Sequence, residues 1–246
     1  MDPIFSVNPR ITERNLPNPE GWGAATPKGG PNCSWHHMIP DPLLRNVWNR
    51  LVDRHIGTEW PAARVTIRQF LSLCDRNLQD LDDRLESMRL CNREYLLMAN
   101  VRRAGHHPVQ PLGTADASAL ATAAVWPVWN VVGGPNGKNR SDDPNRNQKI
   151  PPERRFDRFQ AGLTPPEEER MKVVEMLNAR FLAFTDLGPE PGPDALRRLG
   201  DDLLAARRFS GNNLVGCTEP IPFREEMWVQ DSGTGLWRKR SLSEEP

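Results

Sequence analysis

Apolar residues recur at helical spacing in four stretches of the chain. Leu43, Leu44, Val47, Trp48, Leu51 and Val52 follow Asp41 and Pro42, which suit an N-cap and a first helical position, so a helix is expected directly after Pro40. A longer helix is expected from Thr66. There Thr66 and Gln69 make a capping-box pattern, and Ile67, Leu71, Cys74, Leu78, Leu81, Leu85 and Met88 step by threes and fours. That seam predicts lengthwise packing against another helix, of this chain or of a partner. The opposite face, with Arg76, Asp80, Asp83 and Arg84, reads as solvated. Thr164-Pro165-Pro166-Glu167-Glu168 opens a third helix whose buried stripe is Met171, Val174, Leu177, Phe181 and Phe184. A fourth is expected over 194–208, and a short Ala-rich one over 116–124.

Strand signals are fewer and shorter. Residues 33–40 suit one strand. Residues 125–132 are β-prone but interrupted by Pro127, which predicts a short or edge strand that empties into the turn-forming run from Gly133 to Pro144. Glu226 to Gln230 and Leu236 to Arg240 flank Asp231-Ser232-Gly233-Thr234-Gly235, a hairpin signature. The class is therefore α+β, mostly helical with a few short strands. Residues 1–34, rich in Pro and Gly without apolar periodicity, read as an extended arm. Residues 35–246 read as a single globular domain.

Composition narrows the function classes. At 246 residues the chain is long enough for a real core, and its 24 prolines and 18 glycines point to long irregular connections within a globular fold. No apolar stretch approaches the ~20 residues of a membrane span, and residues 1–10 lack a secretory-signal pattern. The four cysteines form no CxxC pair, which leaves a zinc ribbon unsupported and suits reduced thiols in a cytoplasmic chain. Charge balances at 32 basic and 32 acidic residues, so no polyanion preference is advertised by net charge. Only five of the basic residues are lysines. The arginine excess suits bidentate phosphate contacts, but a coding bias is the simpler account of it.

Four of the five histidines occur as adjacent pairs, His36-His37 and His106-His107. The second pair sits in a Gly-Pro-flanked loop and reads as exposed. The first lies between a strand-like run and a capped helix, where neighbouring side chains point to opposite faces and one imidazole can face a metal or phosphate. The run from Asn130 to Asp143 is the second candidate. Its carboxylates and carboxamides can hold a divalent ion by oxygen, with Lys138 and Arg140 to meet phosphate. The same residue types are also what solvated turns require.

Ser34-Trp35-His36-His37-Met38-Ile39-Pro40 resembles the first strand of the HNH, or His-Me finger, nucleases, especially their bacterial toxin branch with a Trp-His-His motif. The resemblance implies a ββα-metal-like core, here carrying a large helical insertion over about residues 60–125, and hydrolysis of phosphodiester bonds. It implies His37 as general base and Asn130 as the residue orienting it; an arginine in the same run, Arg140, suits a clamp on the scissile phosphate. His36 with Asn139, Asp142 or Asp143 would bind one divalent metal, Mg²⁺, Mn²⁺ or Zn²⁺; the family's later His is absent after Asn130. The implied partner is nucleic acid, DNA in preference to RNA. A protecting immunity or chaperone protein is implied too, as is export by a dedicated secretion system without a signal peptide.

Two other readings stand beside this one. A non-enzymatic helical interaction or scaffold protein would use the seam from Ile67 to Met88 for docking, with Trp35, Trp48, Trp60, Trp126 and Trp129 as core or interface anchors. A hydrolase of another kind would use Cys33 or Ser34 as nucleophile beside His36, although no nucleophile-elbow motif accompanies them.

Overall fold

Two strands far apart in the chain form the ribbon on which everything else is arranged. In the computed structural model, which describes residues 32–56, 66, 69, 70, 73, 124–188, 191–208, 214, 217 and 219–244, β1 (Cys33–His37) pairs antiparallel with β2 (Val131–Pro135). The register runs from Cys33 opposite Pro135 to His37 opposite Val131. The second strand comes later than its β-prone sequence predicts. Pro127 has no amide hydrogen to give a ladder, Val128–Asn130 form a 3-10 turn, and pairing starts at Val131.

Gly133 and Gly134 belong to that strand and not to the turn run that follows. Close packing explains them. A Cβ on Gly134 would lie 2.3 Å from the Trp228 ring, and one on Gly133 would lie 2.8 Å from the backbone nitrogen of Phe223. The outer edge of β2 is extended by a parallel bridge to Ile221, whose carbonyl accepts from Gly133 N at 2.7 Å.

Helix α1 (Asp41–Ile56) leaves β1 through Met38, Ile39 and Pro40, and buries Leu43, Leu44, Val47, Trp48 and Leu51. The Pro40 carbonyl accepts from Leu43 N at 2.9 Å, while the Asp41 carboxylate, expected as the cap, pairs with Arg45 at 2.8 Å. Helix α2 (Pro165–Asp186) buries the predicted stripe of Met171, Val174, Leu177, Phe181 and Phe184. Thr164 and Glu167 make a reciprocal capping box at its start, and Arg224 clamps the same Glu167 carboxylate at 2.6 and 2.5 Å. Helix α3 (Pro193–Arg208) contributes Leu196, Leu199, Leu203 and Ala206. α1 packs on α2 and α2 on α3.

Thr66, Gln69, Phe70 and Leu73 are helical. The Phe70 ring sits between those of Trp48 and Phe181, with centroids 6.1 and 5.9 Å away. The seam from Ile67 to Met88, the arm over 1–31, most of the 60–125 insertion and the His106-His107 pair lie outside the described residues.

The predicted hairpin forms as β3 (Trp228–Gln230) against β4 (Trp237–Lys239). Asp231 holds its turn by accepting from Gly233 N, Thr234 N and Thr234 Oγ1. The protein is thus α+β, with three helices of described bounds and two short antiparallel strand pairs among the described residues. None of those helices is long and apolar enough to cross a membrane.

The packing against β2 gives a direct test. Gly134→Ala is expected to cost about 1–3 kcal/mol, because the indole of Trp228 must move. Gly192→Ala, where nothing lies within 4 Å of the new methyl, should change the urea midpoint far less. Equal midpoints for the two variants would refute the close-approach account.

Candidate active-site cleft

The end of β1 and the segment that follows β2 face each other across a cleft of about 410 Å³. Its walls carry Trp35, His36 and His37 from β1, Asp41 from the start of α1 and Trp126 from the chain leading to β2. Asp143, Asn145, Arg155 and Asp157 come from the irregular segment after β2. Antiparallel pairing is what joins the two runs: His36 lies opposite Val132, and its Nε2 donates to the Pro135 carbonyl at 3.0 Å.

The histidines are held by carbonyls, which decides where their protons sit. His37 Nε2 donates to Val125 O at 2.8 Å, so the hydrogen-bond network assigns the hydrogen to Nε2 and the lone pair to Nδ1. Its ring lies 4.0 Å from that of Trp126. Burial, with smaller contributions from His36 and Arg45, lowers the His37 pKa to about 4 against the opposing pull of the Val125 carbonyl. Burial and the Arg140 charge lower that of His36 as well, over the opposition of Asp157 and the Pro135 and Gly134 carbonyls. Both imidazoles are therefore neutral at pH 7.

Asn130 is wholly buried and acts on the main chain just beyond the histidines. Its Oδ1 accepts from Ile39 N at 2.7 Å, its Nδ2 donates to Ile39 O at 2.9 Å, and its own carbonyl accepts from Met38 N at 2.9 Å. The expected contact of this amide with the His37 ring is replaced by a lock on the corner between β1 and α1.

Arg140 is likewise engaged elsewhere than on an open phosphate site. It has no exposed surface, pairs bidentately with Asp157 at 2.9 and 3.2 Å, reaches Asp142 at 3.1 Å and lies 4.8 Å from the Trp228 ring centroid. Lys239 also bonds Asp157. Burial alone would raise the Asp157 pKa, but Arg140 and Lys239 outweigh it and hold the carboxyl below its usual range. Burial likewise opposes the Arg140 charge, and Asp157 and Asp142 override it, so its pKa is raised.

The predicted metal ligands divide. Asp142 spends one oxygen on Arg140 and the other on Lys239 N at 3.0 Å. Asn139 is exposed and outside the cleft lining. Asp143 lines the cleft: Oδ1 caps Asn145 N at 2.9 Å, and Oδ2 occupies the place a Cβ of Gly137 would take, 2.3 Å away. His36 and Asp143 are thus the two predicted ligands that share the cleft.

Asp157 and Arg155 were not singled out in the sequence. They sit in a run of arginines and aspartates with no spacing that marks it, and only the fold carries them to the histidines. A thiol nucleophile is disfavoured, since burial pushes Cys33 up to about 11. Ser34 Oγ lies 3.2 Å from His36 Nε2, but that nitrogen already donates to Pro135 O and is not free to accept the hydroxyl proton.

No family model matches the chain, and neither a curated protein nor a solved structure matches it.

The buried imidazole makes stability depend on pH. An unfolded histidine titrates near 6.5 and His37 near 4. The unfolded chain therefore binds more protons between those values, and stability falls as pH drops through that window. The full effect of this residue is at most roughly 3 kcal/mol. Urea midpoints in chelator should decline from pH 7 to pH 4.5. His37→Phe, which keeps the contact with Trp126, should flatten that decline; an unchanged slope would count against the buried-neutral assignment.

Proposed function

We propose that the chain hydrolyses phosphodiester bonds of nucleic acid with a divalent metal ion, and that the cleft beside β1 is where it does so. The observation that carries this reading is that His36, His37 and Asp143, from runs on either side of a long intervening segment, line one cleft. Strand pairing brings them together, as a two-stranded nuclease core requires.

The donor set suits one kind of ion. Among the described residues no three His, Cys, Asp or Glu side chains are grouped to hold a metal. Structural and catalytic zinc sites want three or four protein ligands, whereas Mg²⁺ keeps several waters and is held by one or two carboxylates plus substrate phosphate oxygens. Asp143 and the neutral His36 fit a sparsely held Mg²⁺ or Mn²⁺. Such an ion, when bound, supplies stabilisation for the charge that develops on the scissile phosphate.

The chain's own groups do the rest. His37 is neutral at pH 7, and Val125 O fixes its Nε2–H, so Nδ1 is the atom that takes a proton from the attacking water. Asn130 holds the backbone immediately after His37 and so positions the ring through the chain. Arg140 and Lys239 keep Asp157 ionised and in place as the cleft wall. An agent that cuts nucleic acid endangers the cell that makes it, so a protecting partner and dedicated export belong to the same reading, as does a role as a bacterial toxin.

With Mg²⁺ or Mn²⁺ the purified protein is expected to cut plasmid or single-stranded DNA, and EDTA to stop it. His37→Ala should lower the rate by about 10²–10⁴-fold with an unchanged circular dichroism spectrum. Asp143→Asn should raise the metal concentration needed for half-maximal rate. DNA and RNA left intact across Mg²⁺, Mn²⁺ and Zn²⁺ would end the proposal.

A further inference from the structure

Among the described residues, Arg155 is the one lysine or arginine that lines the cleft. Its guanidinium is placed by backbone carbonyls, with Nε donating to Ile150 O at 2.8 Å and Nη1 to Asn145 O at 3.3 Å. No carboxylate among the described residues pairs with it. The contrast with Arg140 is plain, since that side chain is buried and saturated by two aspartates. A guanidinium oriented by two neutral acceptors, with its charge uncompensated and Nη2 left over, is built to meet an anion.

Two indoles share the same cleft. Trp35 and Trp126 are half-buried, and Trp126 is braced by the His37 ring. Indole faces beside a phosphate-binding cation are the elements with which proteins hold unpaired nucleotides: the cation takes the backbone and the ring takes the base. Size points the same way. At about 410 Å³ the cleft lies toward the small end of the ~300–1,000 Å³ typical of small-molecule sites. That space accepts a nucleotide-sized piece of a strand and leaves the body of a duplex outside. Asp143, the cleft carboxylate that no cation pairs with among the described residues, lines the same cleft.

We propose that the cleft binds single-stranded nucleic acid, one unpaired nucleotide entering with its phosphate on Arg155 and its base against Trp35 or Trp126. The substrate class rests on the nuclease reading, and the contacts deepen it. Arg155 thereby takes the phosphate-holding role that sequence reasoning gave to Arg140.

Binding is measured in EDTA, where no cutting occurs, by fluorescence anisotropy with labelled oligothymidylate, an abasic strand of equal length and a duplex of equal length. The oligothymidylate should bind about tenfold tighter than the abasic strand, in line with the stacking of one base, and should quench tryptophan emission. The duplex should bind more weakly than either single strand. Arg155→Gln, which can still donate to a loop carbonyl, should weaken both single strands by a similar factor. It should also reduce the slope of log affinity against log salt by about 0.7, the share of one phosphate. Arg155→Lys should restore much of that slope, which a merely structural role in the 145–150 loop would not produce. Duplex binding as tight as single-strand binding, or a salt slope unmoved by Arg155→Gln, would overturn the proposal. The two readings fail separately: tight single-strand binding without cutting under any metal removes the hydrolase and keeps this site, and cutting of duplex alone does the reverse.

Discussion

The peptide of Ile39 has no water to turn to. It sits at the buried corner where β1 gives way to α1, and an unmet donor and acceptor there would each cost on the order of 1–3 kcal/mol. The side chain of Asn130 meets both, through one amide that is itself fully buried. Few residue types offer a donor and an acceptor on so short a stem. The exchange joins positions 91 residues apart, a closure whose entropic cost grows only slowly with the length of the loop. The corner lies directly after β1, whose register on β2 sets His36 opposite Val132 and His37 opposite Val131; a slip by one residue would exchange the faces on which the two histidines stand. The placement of the cleft's histidines thus depends on an asparagine that does not touch them.

Beneath the cleft lies a second polar knot with a different logic. Arg140, Asp157, Asp142 and Lys239 bring two positive and two negative charges together with little water. Such groups repay their desolvation poorly when compared with an apolar replacement, yet removing one partner leaves a buried charge alone. Their geometric effect is plain: they tie the segment after β2 to β4 and to the Met38 carbonyl, which accepts from Asp157 N at 2.9 Å. The 137–157 segment has only 3-10 turns of its own. The charge network takes the place of regular secondary structure in holding Asp143 and Arg155 opposite β1.

Where the pattern of a single element determined the outcome, the sequence was legible. The stripe of α2, the extent of α3, the start of β1 and the hairpin around Asp231 all follow from local periodicity or turn chemistry, and each appears where expected. Errors arose where a distant contact set the local choice. Gly133 and Gly134 look like turn residues until Trp228 and Phe223 are seen lying against them. Asp41 is a separate case, settled locally: it has the chemistry of a cap, but Arg45 one turn later takes its carboxylate. For the site, residue types were readable and tasks were not. Arg140 and Asp142 carry the right groups, and only tertiary structure reveals that those groups are consumed by one another and by Lys239 and Asp157. Arg155 stands beside Arg154, whose guanidinium pairs with Asp186; nothing in the sequence says which of the two neighbours faces the cleft.

The electrostatic state of the cleft follows from these placements. Burial keeps His36 and His37 neutral at pH 7, so they add lone pairs without adding charge. Asp157 is compensated by its two cations, and Asp41 by Arg45. Among the described residues that line the cleft, the charged groups left without a charged partner are one carboxylate, Asp143, and one guanidinium, Arg155. A cleft of that kind has no strong field to recruit a long polyanion from solution, in keeping with the chain's balanced charge. On the proposed reading, its selectivity would come from short-range contacts: a phosphate on Arg155, a cation drawing Asp143 and that phosphate together, and a base flat enough to lie on an indole. Affinity built in that way would be local, and would favour a strand that can bend one nucleotide inward over a rigid duplex that cannot.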